Sequence, residues 1–340
     1  MVKAIVTGGL GFIGSHLVDE LLRRGVYVLV IDDARSPSSP PSRAADANYQ
    51  LIARSVQDTE LYMWGDKKPV DYIYHLANYV GPVGILDHGG DITIDTLSSA
   101  QKVATWSKIS GASLVDVSTS EVYGDPTRPN NEDSPTAIMP GAGARKEYAA
   151  AKIAAEKMLL NSNIDVKIIR PFNVAGPRQR PEGGFVLPRF VLQALTEQDI
   201  TVYEEDSTPR RAFTHVKDIV NGLIRAAESG WSGRVFNLGN SDNAIGIFEL
   251  AHEVRNAVSG TKSRIIKIDP VELYGPAYQS APNKIPDMTT AYMNLGWLPV
   301  YGMDDIIKDT IDYWRSLDPL FWPAGFEQAG TTTGDAGHSR

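Results

Sequence analysis

The feature that most limits what this chain can fold into is its first junction. Residues 2–7 read VKAIVT, a short apolar run of the kind a buried parallel strand needs. Gly8, Gly11 and Gly14 follow at spacing three inside TGGLGFIG. Ile13, Leu17, Val18, Leu21 and Leu22 then recur at helical spacing until Gly25 stops the helix. A second apolar run, Tyr27–Ile31, ends on Asp32 and Asp33. Strand, glycine turn, helix and strand in this order build a dinucleotide site. Gly8 permits the tight turn, Gly11 lets backbone approach a pyrophosphate, and Gly14 lets helix pack on strand. The helix then turns free N–H groups toward the anion. Asp32 stands where ribose hydroxyls would be met, and its charge would repel a 2′-phosphate, so NAD is expected rather than NADP. Arg35 nearby works slightly against that preference.

Further strand-like runs follow at residues 72–76, 113–118, 166–170 and 234–238, with helical stretches at 96–109 and 148–160 between them. This alternation predicts an α/β fold with a doubly wound parallel sheet. Residues 36–47, rich in Ser, Pro and Ala, read as a loop. From Pro171 onward proline and glycine cluster, as where a chain leaves a sheet to build a smaller lobe. The expected organisation is a cofactor domain over 1–170, rejoined by about 212–240, and a substrate lobe over 171–322. The tail 323–340, poor in large apolar residues, is expected to be disordered.

Composition removes whole classes of function. The net charge is −8, so nucleic acid is not an expected partner. There are no cysteines, which excludes disulfides, thiolate nucleophiles and cysteine-ligated metal, and fits a cytoplasmic location. No apolar run is long enough for a bilayer, and the N-terminus reads as a strand rather than a signal peptide. The six histidines show no zinc-site spacing. His75, at the end of an apolar strand, is expected to be structural.

Tyr148 and Lys152 lie four apart in a helical stretch and so share a face. Upstream, the run 113–118 ends in Ser118, Thr119, Ser120, Glu121, Val122, Tyr123 and Gly124. Polar groups at the carboxyl end of a parallel strand lie where such sheets bind ligands. Together TGGLGFIG, HLAN (His75 to Asn78), STSEVYG and YAAAK resemble the extended short-chain dehydrogenase/reductases, the nucleotide-sugar epimerases, dehydratases and decarboxylases. The resemblance continues through RPFNVAGPRQ, LPRFVLQAL, TVY, RRAFTHVKD and FNLGN, to about Trp314.

The resemblance implies roles. Tyr148 would take a proton from a sugar hydroxyl while hydride passes to NAD⁺, and Lys152 would favour the phenolate and bind the nicotinamide ribose. Free tyrosine is a poor base near neutrality, so it needs such help. Thr119 would orient the reacting oxygen, and Glu121 would assist proton movement near C5. Phe12, Ile13, Asp33, Leu76, Ala77 and Pro171 would join Gly8, Gly11, Gly14, Asp32, Tyr148 and Lys152 around NAD. Ser120, Asn173, Arg178, Val186, Leu187, Val202, Tyr203 and Arg211 would join Thr119 around a nucleotide sugar, a UDP-sugar favoured. A homodimer is implied, through helices 96–109 and 148–160.

The chain also departs from the pattern. Ser55 stands where the family often has Asp, helix 96–109 lacks Asn-x-x-Gly-Thr, Lys146 and Glu147 replace Ser-Pro, and Asn283 and Lys284 stand where arginine is common. STSEVYGDP is most similar to the decarboxylases, GPRQRPEGGFVLPRF to the epimerases. The expectation is a redox-neutral enzyme working through a 4-keto sugar, epimerase slightly ahead of decarboxylase or dehydratase. A regulator that holds NAD without turnover is the reading from another class, and the intact Tyr148–Lys152 pair opposes it.

Overall fold

The structure, a computed structural model, describes residues 1–35, 38, 46–60, 70–79, 81, 85–86, 88–124, 129–138, 143–203, 210–269 and 284–326. Seven strands form one parallel sheet: β1 (Lys3–Thr7), β2 (Tyr27–Ile31), β3 (Tyr49–Ile52), β4 (Tyr72–His75), β5 (Ser113–Val117), β6 (Val166–Pro171) and, much later in the chain, Arg234–Leu238. Short strands β7 (Val174–Ala175), β8 (Ile200–Tyr203), β9 (Arg211–Ala212) and β10 (Thr214–His215) precede that last one, which is therefore β11. Strands β12 (Ala244–Ile245) and β13 (Ile265–Ile268) follow it. The sheet order is β11-β6-β5-β4-β1-β2-β3, all pairs parallel. The winding reverses between β1 and β4, and a crevice opens at such a point beyond the strands' carboxyl ends.

Alternation along each strand divides the core. Val6, Val28, Val30, Tyr74 and Val115 face helices α1 (Phe12–Arg23) and Val216–Glu228. Ile5, Leu29, Ile73, Leu114 and Ile168 face α2 (Ile92–Ser110) and α3 (Ala144–Leu160). A third cluster joins α4 (Val186–Leu195) to β8, to Ile247–Ala257 and to Met303–Ser316. Counting in chain order, these last two helices are α6 and α8, with Val216–Glu228 as α5 and Thr289–Leu295 as α7.

The parallel sheet matches the expectation, and β11 does return to it beside β6. Strand β3 was not read from the sequence. It is an edge strand whose residues are half-buried or exposed, so no apolar run marks it. Helices α2 and α3 each start four residues before the expected 96 and 148. Part of the tail is seated: Pro323 is buried and Phe326 packs on the third cluster, because an apolar ring finds an apolar wall. Residues 327–340, most of 36–47, and Asn283 lie outside the described residues.

Candidate active site

The glycine turn is built as its spacing requires. Gly8 has φ +70°, and a Cβ there would sit 2.7 Å from the amide nitrogen of Ala77. A Cβ on Gly14 would sit 2.1 Å from the carbonyl oxygen of Gly8. Both positions exclude any side chain. Gly11 is the N-cap of α1 and its amide donates to Gly8 O at 3.1 Å. No side chain caps this helix and no acid lies in its first turn, where Phe12 and Ile13 stand. The first N–H groups are thus kept for an anion, and the residues fit the pyrophosphate of NAD. The Asp32 carboxylate accepts from the amides of Leu10 (2.9 Å) and Ala34 (2.8 Å). Burial raises its pKa against those two bonds. Arg35 is turned onto Asp33 (2.8 Å) and donates to the Tyr79 hydroxyl (2.6 Å).

Strand β5 and helix α3 bring the reactive groups together. Tyr148 and Lys152 both lie on the buried side of α3. Burial raises the Tyr148 pKa, and a hydrogen bond with Thr119 opposes it. Lys152 Nζ donates to the carbonyl of Val117 at 2.7 Å. Thr119 also accepts from the Glu121 amide at 3.2 Å, capping the short turn Ser120–Val122. The cap on that turn is therefore Thr119, which leaves the Glu121 carboxylate for other work. Arg145, from the first turn of α3, grips it with two bonds at 3.0 and 2.7 Å, and Lys284 pairs with its Oε1. Burial disfavours this carboxylate's charge, but Lys284 and Arg145 outweigh it and hold its pKa far below the usual range. Lys284 is itself buried, which lowers its pKa to about 8 although Glu121 opposes the shift.

The model of the NAD dependent epimerase/dehydratase family matches residues 4–239. The chain belongs to this family. It is an NAD-dependent enzyme, and its relatives include UDP-glucuronic acid decarboxylase 1 of Danio rerio, 34% identical over 93% of this chain and 73% of the relative. UDP-N-acetyl-alpha-D-glucosaminuronate decarboxylase of Bacillus cytotoxicus is 29% identical over 93% of this chain and 98% of its own. Among solved structures, UDP-glucuronic acid 4-epimerase of Bacillus cereus, in complex with UDP-glucuronic acid and NAD, superposes with TM-score 0.77. It is 26% identical and covers 92% of this chain and 99% of its own.

In this member of the epimerase/dehydratase family the other residues singled out in the sequence fall into two groups. Arg211 forms a backbone bridge with Lys284, at the Glu121 cluster. Leu76 and Ala77 donate from their amides to Thr7 Oγ1 at the end of β1, and Pro171 ends β6. Ser120 is buried beside Thr119. The second group is spread more widely. Asn173, at φ +33°, donates to Ala212 O at 3.2 Å. Arg178, at φ +68°, runs to helix α1 and pairs with Asp19 at 2.6 Å, near Ser15. Val186 and Leu187 open α4, where Leu187 is buried in the third cluster. Val202 is buried in β8, and Tyr203 lies under the Arg189 guanidinium, 4.2 Å from its ring centroid.

Three participants escaped the sequence reading. Arg145, three residues before the tyrosine, stands in none of the motifs that carry the resemblance. Glu147 accepts from the amides of Gly90 (2.7 Å) and Thr93 (3.1 Å) and so ties the start of α2 to α3. Arg170 clamps Glu156 at 2.9 and 2.6 Å and donates to Tyr123, whose hydroxyl donates to Asn237. Glu147 and Lys284 each carried a signal, as departures from the family's Ser-Pro and arginine. Among the described residues no acid–histidine cluster could hold a metal, and no helix is long and apolar enough to cross a membrane.

Proposed function

We propose that this enzyme decarboxylates a UDP-uronic acid, with UDP-glucuronate as the first candidate. The names of several relatives support this over the epimerase reading ranked first from the motifs. One structural observation carries it: an ionised Glu121 held between Arg145 and Lys284, with Arg211 adjoining, close enough to Tyr148 to influence its ionisation. Two cations on one carboxylate, with Arg211 bearing on Lys284, leave an excess of positive charge, which suits a second carboxylate on the sugar.

Bound NAD⁺ supplies the acceptor for the C4 hydride and later returns it. Tyr148 takes the proton of the C4 hydroxyl, Thr119 orients that oxygen, and Lys152 as an ammonium favours the phenolate. In the 4-keto sugar the carboxylate on C5 is β to a carbonyl. The C5–carboxylate bond breaks, CO₂ leaves, and the electron pair moves to the C4 oxygen. Glu121 is ionised and has no proton to give; Lys284, with its lowered pKa, donates the proton that forms the new C5–H bond and is recharged from solvent, and Tyr148 returns its proton to the C4 oxygen as the hydride goes back to C4.

The test is incubation with NAD⁺ and UDP-glucuronate, read by mass spectrometry and NMR. Loss of CO₂ is expected. Unchanged mass with new C4 couplings would show an epimerase, and loss of water a dehydratase. Glu121→Gln removes the charge that helps keep Lys284 an ammonium, so it should slow turnover at the protonation step and let NADH absorbance accumulate; full turnover from that variant would remove Glu121 from the mechanism.

We also propose a cytoplasmic homodimer through α2 and α3, which pack on each other and leave Ile94 and Ile109 exposed. Light scattering of wild type and Ile109→Glu tests it, and a monomeric wild type would refute it.

A further inference from the structure

A row of polar side chains crosses the sheet beneath α3, and the chemistry described so far leaves it unused. Thr7 pairs with His75 between β1 and β4, and His75 pairs with Asp116 between β4 and β5. All three point to the face of α2 and α3, where their neighbours two residues back, Ile5, Ile73 and Leu114, supply apolar core. Their exposures are 0%, 2% and 2%. A carboxylate this deep is costly unless a cation answers it.

The hydrogen bonds around Thr7 fit a proton on Nε2 of His75. Thr7 Oγ1 accepts from the amides of Leu76 (3.2 Å) and Ala77 (3.3 Å). Both its lone pairs are then engaged, so its hydroxyl donates to His75 Nδ1 at 2.7 Å. The imidazole proton is left on Nε2, which faces Asp116 Oδ1 at 4.0 Å. Burial, with Lys152 adding to it, holds the His75 pKa down to about 3, so the ring is neutral. Asp116 Oδ2 is buried with no hydrogen-bond partner.

The charges on this face pair unequally. Glu156 is taken up by Arg170, with two bonds, and by Ser118. From α3, Lys152 and Glu156 bear on Asp116 as charges, and Tyr148 also feels the Asp116 charge, which by itself raises the tyrosine's pKa; β4 offers neutral His75, β6 offers Ile168 with Arg170 two residues on, and the buried side of α2 has no titratable group. Lys152 Nζ is fixed on the carbonyl of Val117, the residue after Asp116.

We propose that Asp116 is a positioning residue for the reaction: its carboxylate, buried on the α3 face of the sheet, is the counter-charge that keeps buried Lys152 an ammonium. Burial lowers the Lys152 pKa, and Asp116 opposes this more than Glu156 does. Burial likewise raises the Asp116 pKa to about 6, against the pull of Lys152. The ammonium matters because it favours the phenolate of Tyr148. The inference rests on the reading of Tyr148 and Lys152 as the proton-transfer pair.

The test compares the full-length wild type with Asp116→Asn, which keeps the shape and removes the charge. Lysines are labelled with ¹³C at Cε, the Lys152 resonance is assigned by its loss in Lys152→Met, and its shift is followed with pH. The Lys152 midpoint should fall by about one pH unit or more in Asp116→Asn. Turnover of UDP-glucuronate should fall roughly ten-fold with little change in KM. Should Asn fail to fold, Asp116→Ala, which needs no partner, carries the same measurement. A midpoint within about 0.3 unit of wild type in either variant overturns the proposal. The lysine titration needs no substrate, so it stands even if UDP-glucuronate proves inert and the functional reading fails.

Discussion

Two carboxylates, Glu156 on α3 and Glu121 after β5, are each clamped by cations, but the clamps differ in kind. Glu156 and Arg170 are 1% and 3% exposed and meet fork to fork. Arg170 continues through Tyr123 to Asn237, so this clamp ties α3 to β6, to the end of β5 and to β11. Glu121 is 21% exposed, its Arg145 partner is 38% exposed, and its other partner is a lysine. Arginine does not titrate, while a buried lysine does. One clamp is therefore fixed scaffold. The other is a more exposed charge cluster that includes a lysine with a lowered pKa.

If that contrast is right, chemistry belongs to the pair between the clamps. Tyr148→Phe removes only a hydroxyl and should cost about 10²–10⁴-fold in turnover with the melting temperature nearly unchanged. Near wild-type turnover would end the comparison, because the tyrosine would then be scaffold as well.

Next comes the scaffold itself. Arg170→Met leaves Glu156 buried without its cation, and breaking a buried pair in this way costs about 3–5 kcal/mol. Thermal or urea unfolding should report this loss. Arg145→Ala, at the more exposed clamp, should move stability by less than about 1 kcal/mol while lowering activity. Equal stability losses in the two variants would erase the distinction.

The contrast also explains what could be read from the sequence and what could not. The sheet and the glycine turn were legible because each rests on local pattern: apolar runs of strand length, and positions that exclude a Cβ. Thr119, Tyr148 and Lys152 were singled out because each stands in a short run, STSEVYG or YAAAK, that resembles the family's. The clamps were not, since each joins residues far apart in the chain. Glu121 meets Lys284 across 163 positions. Asp116 and His75 meet only because β4 and β5 are neighbours in register. Arg178 shows the converse: the resemblance put it at the diphosphate, and a left-handed backbone at that residue carries its side chain to Asp19 on α1.

Lys284→Arg tests the titratable clamp directly. Burial places the Lys284 pKa near 8, so its ammonium is lost as pH rises through that value. Wild-type CO₂ release should fall along that limb, to roughly a tenth of its plateau one unit above the pKa. Arginine keeps its charge throughout, so this limb should vanish from the profile. It is also a weaker acid, and the plateau itself should drop. A wild type flat between pH 7 and 9 would remove Lys284 as proton donor while leaving its pairing with Glu121 intact.

The smallest effect is expected at Arg178, and it sharpens the comparison from outside both clamps. Its guanidinium is tied to Asp19, which is 40% exposed, and such a half-solvated pair is worth about 0.2–1 kcal/mol. Arg178→Ala keeps a Cβ, so the strain of φ +68° stays in both proteins and cancels. Stability should fall only within that range, and KM for the nucleotide sugar should change less than about two-fold, since one lost charged contact to a diphosphate would cost about 1.5–3 kcal/mol, ten-fold or more. Initial rates across substrate concentration decide it. A ten-fold rise in KM would mean that Arg178 leaves Asp19 for the diphosphate when substrate binds, and the cations serving this pocket would then extend beyond Arg145, Lys284 and Arg211.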